Sequence, residues 1–74
     1  MTRLPPINDP IRDLASFEWL VQGIASGLAR RLPANVLVED IVAAGHEALW
    51  KHLTTSDVRD VALLRIRIRG GMLE

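Results

Sequence analysis

Residues 58–69 read VRDVALLRIRIR, and two periods compete in them. Leu64, Ile66 and Ile68 alternate with Arg65, Arg67 and Arg69, which suits a strand with one face in water. Val61, Leu64, Ile68 and Met72 instead recur at three- and four-residue steps, the spacing of one helix face. Nothing else in the 74 residues offers a partner strand, and a lone strand leaves its backbone N–H and C=O groups unsatisfied. The segment is therefore expected to be a helix, with a strand open only to two chains pairing through residues 64–68. Thr55 or Ser56 is expected to cap its start, with Asp57 and Asp60 in the first turn, and Gly70 and Gly71 to cap or break its end.

Upstream, the helical period is plainer. Asp9 followed by Pro10 is a helix start, the carboxylate capping free N–H groups and proline being pre-set for the first helical position. Ile11, Leu14, Phe17, Leu20, Val21, Ile24, Leu28 and Leu32 then mark one apolar face, with a possible break near Ala15 and an end at Pro33. Gly23 and Gly27 lie four apart within it, a pair expected to admit a closely packed helix at about 1 kcal/mol each in helix propensity. A second long helix is expected from residues 36–38 to about Leu53, with Val38, Ile41, Val42, Gly45, Leu49 and Leu53 inward and Glu39, Asp40, Glu47 and Lys51 outward. Residues 1–8, with Pro5 and Pro6 in tandem and no periodicity, read as a flexible lead-in. The expected architecture is one all-α domain over residues 9–74, a small bundle of three to four helices.

Composition narrows the function. A chain of 74 residues supports one core, and with no cysteine it has neither disulfides nor thiolate chemistry, so a reducing, cytoplasmic setting is expected. No apolar run approaches the roughly 20 residues that span a bilayer, and residues 1–10 lack the apolar stretch of a signal peptide. Nine basic residues balance nine acidic ones, so no net field draws the chain onto nucleic acid. His46 and His52 are six apart and diverge on a helix, unlike the i, i+4 pair that holds a metal, and both read as surface or flanking residues. Glu39 and Asp40 are neighbours that cannot face one another, and their place near a helix start has its own electrostatic reason. No phosphate loop or nucleophile motif occurs, so neither an enzyme nor a cofactor is expected. Arg65, Arg67 and Arg69 remain as candidate contacts to phosphate or to an acidic partner, and Trp50, off the inward face, as an anchor for one.

Three stretches taken in order, LVQGIASGLARRL at residues 20–32, EDIVAAGHEAL at 39–49 and RIRGGMLE at 67–74, resemble conserved region 2 of bacterial sigma factors of the flagellar and sporulation type. The resemblance implies a helical bundle whose Asp-Leu-Ile-Gln helix docks on the clamp helices of the RNA polymerase β′ subunit. Asp40 falls on the acidic docking position, Ile41 and Val42 on the apolar pair, Gly45 on the family's glycine, and Arg67 to Leu73 on the RIRGAML motif. The family's docking glutamine is Ala43 here, and its aromatic promoter-melting positions fall on Asp60 and Leu63. The matched series stops at Glu74, ahead of the segment that reads the promoter −10 element.

The expected function is therefore a sigma-region-2-like protein-interaction module in transcription regulation, contacting the β′ clamp helices or an anti-sigma-like regulator. Its binding face would be Glu39, Asp40, Ala43, Glu47 and Trp50, with Arg65, Arg67 and Arg69 as a secondary patch and DNA bound at most weakly and without sequence preference. The alternatives are a small structural or oligomerising helical protein that keeps only the scaffold, and a truncated sigma fragment.

Overall fold

The computed structural model describes residues 9–74, so the lead-in expected over residues 1–8 lies outside the described residues. Four helices follow in order: α1 (Pro10–Ser16), α2 (Glu18–Ala29), α3 (Val38–Thr55) and α4 (Val61–Leu73). No strand occurs among the described residues, so the protein is an all-α bundle. Asp9 caps α1 as its sequence context predicts, its Oδ1 accepting from the N–H groups of Ile11 at 3.0 Å and Arg12 at 3.3 Å.

The helical reading of residues 58–69 holds from Val61 onward, while residues 58–60 precede α4. Leu64 and Ile68 are fully buried while Ile66, the third member of the alternating set, is 67% exposed, an outcome only the four-residue step produces. The cap differs from expectation. Asp60 holds the N-cap position and accepts from the Ala62 N–H at 2.9 Å, while Thr55 ends α3 and Ser56 follows it.

α4 also runs through Gly70 and Gly71 to Leu73 instead of ending there. Packing overrides propensity at this point. A Cβ built on Gly71 would lie 2.5 Å from the Ala48 Cβ and 3.4 Å from the Ala44 carbonyl oxygen, so only glycine lets α4 approach α3 this closely. Gly45, on the inward face of α3, likewise faces the Met72 Cε and Val21 Cγ1. The close-approach role expected of Gly23 and Gly27 belongs to Gly45 and Gly71, because nothing lies within 4 Å of a Cβ at either α2 position. Gly27→Ala should therefore raise stability by about 1 kcal/mol through helix propensity. Gly71→Ala should lower it despite the same propensity gain, since separating packed helices costs about 1–3 kcal/mol. Paired thermal melts would read the opposite signs.

One core joins α2, α3 and α4: Leu20, Val21, Ala25 and Leu28 meet Ile41, Leu49 and Leu53, and Leu64, Ile68 and Met72 close over them. α1 adds only the half-buried Leu14, with Phe17 beside it at the break between α1 and α2. That break falls at Phe17, two residues past Ala15, and resets the helical register, so Ile11, expected inward, is 74% exposed. Val38 was also expected inward and is exposed, because residues 36–40 are all exposed and the first turn of α3 overhangs the packed region. No described helix is long and apolar enough to cross a membrane.

Candidate functional site

The five α3 residues expected to bind a partner share one surface. At about 100° per residue, Glu39, Trp50, Ala43, Glu47 and Asp40 cover roughly a 100° arc centred opposite Ile41, Gly45 and Leu49. All five are exposed and all three opposite are buried. Leu37 and Val38, both largely exposed, border the acidic end of this face, and Trp50, 41% exposed, stands near its far end. The face thus sets carboxylates beside apolar surface, and Trp50 is its one residue of a type enriched at protein interfaces. Glu39 and Asp40 also sit in the first turn of α3, where the helix dipole favours negative charge.

The three arginines of α4 do not form one patch. Arg65 and Arg69, one turn apart, line a groove of about 240 Å³ against α2, where Arg31 joins them. Arg67 projects to the other flank, into a wider groove of about 860 Å³ between α3 and α4 whose floor includes Ala44, Ala48 and Gly71. Arg31 escaped sequence reasoning because it follows α2 in a turn, and only the tertiary fold brings it beside α4.

No cluster of three His, Cys, Asp or Glu side chains that could hold a metal occurs among the described residues. The reading of His52 as a surface residue is corrected: it is 8% exposed, and its Nε2 lies 2.9 Å from the Val58 carbonyl oxygen. A carbonyl only accepts, so Nε2 carries the proton and fastens the loop after α3.

His46, half-buried on α3, meets the Glu18 carboxylate of α2 through its Nε2. Glu18 is held below its ordinary value of 4.5, first by the hydrogen bond that Gln22 Nε2 donates at 2.7 Å, which outweighs the opposing effect of burial, and then by the hydrogen bond and charge of His46. A depressed carboxylate contributes stability above its unfolded pKa and loses it as pH falls through the folded value. Both side chains of the Glu18–His46 pair are more than a third exposed, so solvent screening keeps this contribution to at most about 0.5 kcal/mol. Glu18→Gln should remove that small acid-side loss below about pH 4.5, read as a flatter stability profile in urea titrations.

A further cluster had no sequence signal. Asp13 of α1 is 9% exposed, and its Oδ2 accepts from Arg59 Nε at 2.9 Å across 46 residues of sequence. The same guanidinium donates to the carbonyls of Ser56 at 2.6 Å, Val58 at 3.2 Å and Leu53 at 3.3 Å. Every buried polar side-chain atom among the described residues has a partner, so this cluster is a closed structural network with no group left over for chemistry.

The chain matches no protein-family model, no curated protein and no solved structure at a significant level.

Proposed function

We propose that the chain is a protein-interaction module of sigma-region-2 type, acting in bacterial transcription regulation in the cytoplasm. It contacts the β′ clamp helices of RNA polymerase, or a sigma-binding regulator, without recognising promoters and without catalysis. The observation that carries the reading is the outer face of α3: Asp40, on the family's acidic docking position, is exposed beside Ala43, Glu47 and Trp50, while Ile41, Gly45 and Leu49 hold the opposite face in the core. Asp40 has no hydrogen bond or ion pair to another described side chain and is available to a partner.

The direct test is titration of a β′ clamp-helix fragment into the chain, followed by Trp50 fluorescence in a Trp19→Phe background. Micromolar binding is expected, weaker than a sigma domain's because Ala43 lacks the family glutamine's hydrogen-bonding amide. A sequence-selective promoter complex of the isolated chain would contradict the reading. A second reading, a structural or oligomerising protein, is favoured by exposed apolar residues away from α3, Ile11 at 74% and Trp19 at 58%. No clamp-helix binding at high micromolar concentration, together with a dimer in sedimentation, would establish that second reading instead.

A further inference from the structure

We infer that the groove between α2 and α4 is a site for a compact multiply charged phosphate anion, a diphosphate group in particular, held by Arg31, Arg65 and Arg69. Three arginines from two separate parts of the chain line one concavity, and no acidic residue lines it with them. None of the three side chains makes an ion pair or a hydrogen bond with another described residue. Most acidic side chains lie elsewhere: Asp13 pairs with Arg59, Glu18 with Gln22 and His46, Asp9 and Asp60 cap the starts of α1 and α4, and Glu39, Asp40 and Glu47 stand on the outer face of α3. A chain with zero formal charge therefore concentrates three positive charges in one depression.

Helix-end electrostatics do not account for the arrangement. A helix C-terminus carries about half a negative charge, against three full positive ones here, and arginine side chains that serve a helix end donate to its last carbonyls, which none of these three side chains does. Arg65 and Arg69 are moreover like charges one turn apart, an unfavourable pair on a bare helix. The floor is Gly23 and Gly27, open space above both, which leaves a ligand room to sink between the arginines. At about 240 Å³ the depression is smaller than the roughly 300 Å³ at which drug-sized pockets begin, but it takes a diphosphate. Planar guanidinium forks matched to phosphate oxygens supply the chemistry, because each presents paired N–H donors to an oxygen pair. The inference does not depend on the proposed function, since the groove and the outer face of α3 share no residue.

The test is calorimetric titration of the whole chain with inorganic pyrophosphate at low salt, sulfate serving as the control anion. One-site binding tighter than sulfate is expected. Arg31→Gln, Arg65→Gln and Arg69→Gln should each weaken it about tenfold or more, the loss expected for one charge-assisted contact. Arg67→Gln, on the other flank, should leave it unchanged. Gly27→Leu keeps every charge but fills the floor and should abolish binding while circular dichroism stays helical. A nucleoside diphosphate that binds more tightly than pyrophosphate, with the same arginine dependence, would assign the phosphate to a nucleotide, and equal affinity would assign it to the free anion. Pyrophosphate binding that is absent, no tighter than sulfate, equally weakened by Arg67→Gln or insensitive to Gly27→Leu would overturn the proposal. So would a DNA duplex that competes for the same three arginines more strongly than the small anion.

Discussion

Arg59→Ala should cost the fold about 3 kcal/mol, the lower end of the range for removing one partner of a buried ion pair. The lower end applies because the two side chains retain 16% and 13% of their exposure. The loss is asymmetric. Without Arg59, Asp13 keeps only Arg12 at 3.7 Å, itself 65% exposed, so a largely buried carboxylate is stranded. Without Asp13, Arg59 still donates to the carbonyls of Leu53, Ser56 and Val58, so Asp13→Ala should cost less. Arg59→Lys should recover little, since one ammonium cannot reproduce a fork that reaches four acceptors. A domain of this size is stable by roughly 4–11 kcal/mol, so the change removes a substantial share and should lower the melting temperature by well over 10 °C. Hydrogen exchange gives the sharper readout. α1 contributes no fully buried apolar side chain, so its amides should lose protection first, ahead of those of α3. Uniform loss of protection across all four helices would show that Asp13 and Arg59 do not anchor α1 in particular.

That pair also marks the limit of what the sequence makes legible. Periodicity reports which residues of one helix share a face, so Leu20, Val21, Leu28, Ile41, Leu49, Leu53, Leu64, Ile68 and Met72 are all readable as core. A bond between residues 46 apart has no local correlate, and an aspartate in the first turn of a helix already has a sufficient local reason to be there. The glycines teach the same lesson from the other side. Propensity treats all of them as helix weaknesses, yet at Gly71 a Cβ would crowd Ala48 of another helix, while at Gly23 and Gly27, the more conspicuous pair, it would meet only open space. The arginine patch was half legible: spacing by two on a helix foretells that Arg67 diverges from Arg65 and Arg69, but only the return of the chain places Arg31 with the latter two. The outer face of α3 was the most legible, because one helix supplies all of it.

Asp40→Arg should abolish clamp-helix binding, and Asp40→Ala should weaken it by about 2–5 kcal/mol, if the outer face of α3 is the interface proposed above. The size follows from desolvation: an aspartate exposed in the free chain becomes buried against a cation of the partner, and truncation then leaves that cation unpaired. The fold should notice far less. Asp40 is exposed on the side of α3 opposite the buried Ile41, Gly45 and Leu49, so the charge lost from the first turn of α3 costs only about 0.3–1 kcal/mol through the helix dipole. Circular dichroism should therefore show unchanged helix while binding falls at least thirtyfold, a separation that an interface residue produces and a structural one does not. Ala43→Gln supplies the opposing arm. It adds to this exposed position the amide that the family's docking helix carries, and should tighten the complex without altering stability by more than about 0.5 kcal/mol. If Asp40→Arg binds the clamp helices as well as the native chain does, the acidic face of α3 is not the docking surface, whatever Ala43→Gln does.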